Sequence, residues 1–239
     1  MKGCARECET ASVALHLISV VGSSPGVGKT TLCRAVAQWL TSFGASVDHF
    51  EEADILTRAA FRPVAEEFAG ETAAVQPATL IECTRAYVAE SLAAGKDYLV
   101  TDALLPFIPS LVAWGHDEPA LVQVMADLSR ALRPAQVTVV YVHDDPETAL
   151  RRAVEREGDA WEDWYVRKLA DSPGTRGVHD LSSAAAHLRS EGELTRRLLA
   201  RTPWHVLNVN VGTLNAQEAY AHTRDHLSDM LGLPGRPSA

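Results

Sequence analysis

Cysteine is scarce in this sequence, and the cysteines present do not form a metal-binding pattern. Four occur among 239 residues, and two of them, Cys4 and Cys8, lie close together near the N-terminus. A structural zinc site needs four Cys, His or acidic ligands, and no neighbouring histidine completes such a set here. We therefore expect reduced thiols, the usual state of cysteine in a cytoplasmic protein.

Positive charge and long hydrophobic runs are also in short supply. Lys and Arg number 22 against 31 Asp and Glu, a formal net charge of −9, whereas nonspecific nucleic-acid binding requires a cationic surface. The apolar run 13–21 is far shorter than the roughly 20 residues that span a bilayer. We expect a cytoplasmic protein with no nucleic-acid partner and no membrane partner. A small anionic ligand stays compatible with the charge, because converging amides attract anions locally.

Short apolar runs alternate along the chain with helical patterns. This alternation is typical of an α/β fold in which a parallel sheet carries helices on both faces. Each strand candidate is rich in Val, Leu, Ile or aromatic residues, and the five candidates are 13–21, 46–50, 97–101, 136–142 and 204–209. The length fits one domain with inserted segments. We predict a single domain, residues 1–239, built on a five-stranded parallel sheet in three layers.

Two segments interrupt the alternation. Residues 51–79 follow the second strand and are predicted to form one or two helices, whereas 159–201 lie before the fifth strand and are rich in charge and tryptophan. Ligands of open α/β sheets bind beyond the carboxyl ends of the strands, so both segments are placed to cover such a site. We predict a helical insertion at 51–79 and a lid-like insertion at 151–190. The aromatic residues expected to pack the second insertion against the body are Trp161, Trp164 and Tyr165.

The segment 22–30, GSSPGVGKT, follows the first strand and opens a helix. This is the context of a phosphate-binding loop, in which glycines let successive amides converge on an anion at a helix N-terminus. Lys29 is expected to reach the β- and γ-phosphates of a nucleotide, and the Thr30 hydroxyl to ligate Mg²⁺. Ser23 stands where the standard spacing has its first glycine, and Gly22 comes one residue earlier. The residues predicted to bind nucleotide are Ser24, Pro25, Gly26, Val27, Gly28, Lys29, Thr30 and Thr31.

An acid ends the third apolar run, 98–102. In enzymes with a phosphate-binding loop, this position holds the aspartate that orients Mg²⁺ or its bound water. We therefore predict Asp102 as a metal ligand alongside Thr30. The alternative is an acidic strand end that faces solvent.

Further acids follow the second strand at the same edge of the sheet, at Glu51, Glu52 and Asp54. A carboxylate there can accept the proton of an acceptor hydroxyl or help to hold Mg²⁺, although acids also favour the first turn of a helix. We favour Glu52 over Glu51 as the base. Arg58 and Arg62, in the following segment, are candidates for binding an anionic acceptor.

Two arginines, Arg152 and Arg156, are spaced to share one helical face after the fourth strand. Beside a phosphate site they can neutralise charge that develops on a transferred phosphoryl group. Salt bridges to Glu155 or Glu157 are the alternative role.

Together these motifs resemble the thymidylate-kinase and deoxynucleoside-kinase branch of P-loop kinases. The closest segment, 141–152, contains an Asp-Pro-Glu sequence at 145–147, and Arg156 completes an R-x-x-x-R pair. The resemblance implies a P-loop NTPase fold, ATP with Mg²⁺ as the phosphate donor and a lid that closes over the phosphates. It makes Arg152 and Arg156 lid arginines and places residues 210–214 near the adenine. Kinases of this branch commonly form dimers, so a homodimer is compatible with the sequence.

The acceptor side departs from that branch, since Ala103 follows Asp102 and Ala160 follows Asp159 where arginines are usual. These losses favour a divergent acceptor. The predicted function is an ATP-dependent kinase acting on a hydroxyl of a small molecule, either nucleoside-like or a specialised metabolite. The alternatives are a nucleoside monophosphate kinase of the thymidylate kinase type and, from another class, an ATP-dependent binding switch. The predicted catalytic residues are Lys29, Glu52, Asp102, Arg152 and Arg156.

Overall fold

Five parallel strands form one sheet in the computed structural model, which describes residues 15–70, 74–102, 105 and 107–233. The strand order is β2-β3-β1-β4-β5, and every neighbouring pair is parallel. The strands are β1 (Leu15–Gly22), β2 (Val47–Phe50), β3 (Tyr98–Asp102), β4 (Ala135–His143) and β5 (His205–Asn210). The prediction of an α/β fold with a five-stranded parallel sheet is confirmed. Val13 and Ala14, at the start of the first candidate strand, lie outside the described residues.

Helices surround this sheet. Their bounds are α1 (Lys29–Ser42), α2 (Arg62–Phe68), α3 (Pro77–Ala93), α4 (Ile108–Ala113), α5 (Glu118–Ala131), α6 (Pro146–Glu157), α7 (Asp159–Asp171), α8 (Leu181–Leu199) and α9 (Ala216–Leu231), with two 3₁₀ helices at Glu52–Leu56 and Ala59–Phe61. The core on one face of the sheet includes side chains from α2 to α5 and α8, and the core on the other includes α1 and α9. In the described part of the chain, no helix combines the length and apolar character needed to cross a membrane.

Burial on both faces explains the continuous apolar runs of the strands. Leu17 on β1 and Leu99 on β3 are register partners that pack on one face, while the next pair, Ile18 and Val100, packs on the other. All four side chains are fully buried. A strand covered on one side only would instead alternate apolar and polar residues.

The sheet order brings three chain segments to one edge. β1 lies between β3 and β4, with Val20 opposite Asp102 and Gly22 opposite Val142. The loop after β1 therefore emerges between the carboxyl ends of its two neighbours. This is the crevice in which open α/β sheets bind their ligands.

The first insertion, 51–79, contains the two 3₁₀ helices, α2 and the start of α3, and its residues 71–73 lie outside the described residues. An aromatic cluster anchors it: the Phe61 ring lies 5.2 Å from that of Phe50 and 5.9 Å from that of Tyr87. Phe61 is fully buried, whereas Phe68, at the end of α2, is 46% exposed. Phe61 therefore anchors the insertion to the core, whereas the end of α2 faces solvent.

The second insertion, 151–190, comprises most of α6, all of α7 and the first half of α8. It has a small apolar core of its own that includes Tyr165 and Leu188. Trp161 stacks on Tyr165 at 4.9 Å within this small core, so the two rings pack inside the insertion, whereas the sequence predicted that they pack it against the body. The same expectation is wrong for Trp164, which is 53% exposed. Cys33 and Cys83 are free and buried, whereas Cys4 and Cys8 lie outside the described residues.

Replacing Phe61 with Ala is expected to lower the free energy of unfolding by about 3–5 kcal/mol, because a cavity replaces a fully buried ring. The matched change Phe68→Ala removes a half-exposed ring and is expected to cost no more than about 0.5 kcal/mol. Urea unfolding followed by circular dichroism measures both values. Equal losses in the two variants would contradict the packing described for this segment.

Candidate functional site

The glycine-rich loop, residues 22–29, leaves the sheet at the end of β1, between β3 and β4. The Ser23 amide donates to the Val142 carbonyl at 2.9 Å, so the loop starts on a β-type hydrogen bond. A Cβ at Gly22 would lie only 2.6 Å from Val27 Cγ2, because the loop folds back over this residue. A side chain at Gly22 would therefore force Val27 to move, whereas the next position carries the side chain of Ser23.

A second glycine is required where the loop meets α6. Gly26 has a φ of +82°, and a Cβ there would overlap the carbonyl oxygen of Ala149. Gly28, with a φ of +85°, is the N-cap of α1. These left-handed residues turn the chain sharply into the helix.

The amides at the start of α1 are available to a ligand. Among the described residues, the amides of residues 28–31 donate to no acceptor. The first hydrogen bond of the helix is donated by the Leu32 amide to the Gly28 carbonyl, at 3.1 Å. Unpaired amides and the helix dipole make such an end attractive to anions. The hydroxyls of Ser23 and Ser24 are buried and also have no hydrogen-bond partner among the described residues. Buried polar groups are rarely left unpaired, so the loop is suited to an anion with several oxygens.

Four predicted site residues meet beside this loop. The Thr30 hydroxyl donates to Asp102 Oδ2, and Lys29 Nζ lies 3.4 Å from both Asp102 Oδ1 and Glu52 Oε2. Asp102 is almost fully buried at the end of β3, and its Oδ1 accepts no hydrogen bond within the described residues. These side chains lie close together because β3 runs parallel to β1 and α1 starts just beyond the end of β1.

The three acids after β2 have different environments. Glu51 accepts a forked pair of hydrogen bonds from Arg34, at 2.6 and 2.7 Å, and these bonds hold the pKa of Glu51 below its usual range. Asp54 accepts the Glu51 amide at 2.9 Å and lies 3.6 Å from the Arg58 guanidinium. The Glu52 carboxylate contacts Lys29 and is 72% exposed. Glu52 is therefore the most accessible of the three to a ligand.

Arg58 is engaged in the structure of the insertion. Its guanidinium donates to Asp48 and to the His49 carbonyl, each at 2.8 Å. It also lies 5.0 Å from the centroid of the Phe50 ring and 5.3 Å from that of Tyr87. These contacts leave few of its donors for an anion, so Arg58 does not match the role expected of it.

Arg62 lies on the surface of the same segment. Its side chain is 81% exposed and lies 3.6 Å from Glu66. Within the described ion pairs, Arg62 contacts neither Glu52 nor Asp102.

The two arginines of α6 lie apart from the Lys29 cluster in the described contacts. Arg152 pairs with Asp144, whose side chain is only 6% exposed. A Cβ at Gly212 would overlap that same carboxylate, so Arg152 lies near the loop after β5. Arg156 lies on the surface and donates to Glu157 at 2.7 Å. This salt bridge is the alternative role that the sequence offered for Arg156.

Sequence reasoning missed Arg34 and Asp144. Arg34 follows no motif, and its partner Glu51 lies on a different element. Asp144 stands directly before the Asp-Pro-Glu sequence, and nothing local distinguishes it from the acids beside it. The environment of Cys33 was also not predicted. Its Sγ lies 3.5 Å from His49 Nε2, and burial strongly raises the pKa of this thiol.

The donor set suits Mg²⁺ better than a transition metal. Among the described residues, no group of three or more His, Cys, Asp or Glu side chains is arranged to hold a metal ion. Thr30 and Asp102 supply hard oxygen ligands, and Mg²⁺ commonly takes one or two protein oxygens with waters and phosphates completing its shell.

Comparison with known proteins assigns no family to the chain. No protein-family model matches it, and a search among curated proteins gives no significant match.

Replacing Gly26 with Ala is expected to destabilise the fold and the anion site together. The left-handed φ alone costs about 1–3 kcal/mol, and the overlap with Ala149 adds to it. Gly95→Ala is the matched control, because Gly95 has a φ of +65° but no atom within 4 Å of an added Cβ. We expect Gly26→Ala to lose more unfolding free energy than Gly95→Ala and to bind pyrophosphate at least about tenfold more weakly, as measured by calorimetry. Equal behaviour of the two variants would contradict the tight contact between loop and α6.

Proposed function

We propose that this protein is an ATP-dependent kinase of the P-loop type that transfers the γ-phosphate of ATP to a hydroxyl of a small molecule. The observation that carries the proposal is the meeting of Lys29, Thr30, Glu52 and Asp102 beside the unpaired amides of α1. Phosphoryl transfer requires an anion cradle, a metal-binding pair and a base close together, since catalysis is mainly positioning and charge stabilisation.

On the donor side, the polyphosphate of ATP binds the amides of residues 28–31 and the ammonium of Lys29. The buried hydroxyls of Ser23 and Ser24 offer further donors to the same oxygens. Mg²⁺, when bound, offsets the negative charge of the phosphate oxygens. Thr30 and Asp102 would hold it, and this assignment is supported by the buried Asp102 Oδ1, which lies 3.4 Å from Lys29 Nζ but accepts no hydrogen bond within the described residues.

On the acceptor side, Glu52 is the proposed base. Its carboxylate is exposed to an incoming ligand, whereas Glu51 and Asp54 are committed to partners that shape the turn. Glu52 accepts the proton of the acceptor hydroxyl as its oxygen attacks phosphorus. Glu52 Oε2 lies 3.4 Å from Lys29 Nζ, so the proposed base is next to the residues proposed to bind phosphate.

The contacts that Arg58 makes within the protein favour a hydroxyl acceptor over a nucleoside monophosphate. A phosphate monoester carries nearly two negative charges at neutral pH and needs cations free to receive it. Arg58 is paired with Asp48 and stacked on aromatic rings. The other arginines of this side also contact acids, Arg34 with Glu51 and Arg62 with Glu66. Ala103, where the related kinases carry an arginine, lies outside the described residues.

Residues 151–190 remain the predicted lid. Arg152 pairs with the buried Asp144 near the loop after β5, which favours a role beside the nucleoside half of ATP. Arg156, on the surface one turn further along α6, remains the candidate for contacting phosphate from the lid.

The test is a screen of hydroxyl compounds and nucleoside monophosphates that detects ADP release and identifies products by mass spectrometry. We expect a new phosphomonoester, formed by the wild-type protein and lost in Lys29→Met. In Glu52→Gln we expect kcat to fall by about 10²–10⁴-fold with ATP affinity nearly unchanged, because a general base contributes by that factor.

Glu66→Gln is the matched control, because this acid lies on the same insertion and is 70% exposed. It is expected to leave kcat unchanged. A nucleoside diphosphate as product would favour the monophosphate kinase instead. Binding of Mg·ATP without any phosphorylated product would point to the binding switch, and a lack of Mg·ATP binding would contradict both enzymes.

A further inference from the structure

We propose that Arg34 is a positioning residue that orients the base Glu52 through Glu51. The inference rests on the proposed function, since it concerns the placement of the base in that reaction. Arg34 lies outside the glycine-rich loop and outside every motif recognised in the sequence.

The contact between Arg34 and Glu51 is a fork with two well-placed hydrogen bonds. Nε donates to Oε1 at 2.6 Å and Nη2 donates to Oε2 at 2.7 Å. A bidentate arginine–carboxylate pair fixes both the distance and the relative orientation of its two partners. Because Arg34 belongs to α1, the fork ties the turn after β2 to the helix that begins at Lys29.

Glu51 connects Arg34 to Glu52 through the backbone of the turn. Glu51 is the N-cap of the 3₁₀ helix Glu52–Leu56, and its amide donates to Asp54 Oδ2 at 2.9 Å while its carbonyl accepts the Asp54 amide at 2.9 Å. These reciprocal bonds close a turn whose first helical residue is Glu52. We therefore expect that loss of the Arg34–Glu51 contact lets this turn move away from α1 and shifts the base.

The other contact between this turn and α1, from Lys29 to Glu52, cannot hold the base in place during the reaction. Lys29 contacts Glu52 through a single pair of atoms at 3.4 Å, and under the proposed function that ammonium binds phosphate. Among the described side-chain contacts, the Arg34–Glu51 fork is then the one that still connects the turn to α1. A base misplaced by about 1 Å can lower the rate about 10²-fold.

Kinetics with the hydroxyl acceptor found in the screen provide the first test. We expect Arg34→Met to lower kcat by about 10- to 100-fold while the KM for ATP changes less than about threefold. Arg34→Lys should recover only part of kcat, because an ammonium cannot form the fork. Glu51→Gln in the Arg34→Met background should add little, since both changes remove the same contact.

Hydrogen exchange gives a readout that does not depend on the acceptor. With Mg·ADP bound, we expect the amides of residues 54–58 to exchange faster in Arg34→Met than in the wild type. The matched control is Arg85→Met, which removes an exposed arginine–glutamate pair from α3 and should change neither kcat nor this exchange.

The two proposals fail in different ways. Wild-type kcat together with unchanged exchange in Arg34→Met would overturn the positioning role. A similar loss of kcat, ATP affinity and melting temperature would also overturn it, since that pattern indicates a purely structural residue. If Mg·ADP binds but no hydroxyl compound is phosphorylated, the kinase proposal fails, and with it the positioning of a base, whatever the exchange shows.

Discussion

The candidate site depends on the parallel pairing of β1 with β3. This register places the last residue of β3, Asp102, beside the point where β1 turns into the loop that opens α1. Thr30 and Lys29, the first residues of that helix, then contact the Asp102 carboxylate. An antiparallel neighbour would present the start of its strand at this edge, and no acid at its carboxyl end could reach the loop.

The glycine-rich loop departs from the usual spacing of a phosphate-binding loop at the first glycine of that pattern. Glycine is needed where the chain has no room for a Cβ, and in this protein the crowded positions are Gly22 and Gly26. Ser23, next to Gly22, contributes a buried hydroxyl. The serine thus adds a polar group to the loop.

The start of α1 is attractive to anions although the molecule is acidic. The chain is acidic overall, with a formal charge of −9, yet the unpaired amides of α1 offer a compact positive end. The acids after β2 are distinguished by their partners: Arg34 holds Glu51, whereas Glu52 stays open to solvent. A single arginine on α1 therefore distinguishes the acid that caps the turn from the more exposed acid that we propose as the base.

The sequence alone determined the five strands, their parallel arrangement and the nearness of Lys29, Thr30 and Asp102, because hydrophobic runs and the order of elements carry that information locally. Only the tertiary structure decided which acid after β2 stays exposed, and that Arg58 packs on aromatic rings instead of facing a ligand. It also revealed the pairing of Arg34 with Glu51. Such pairings join side chains from different elements, so they depend on how those elements pack, and no periodicity along the chain records that packing.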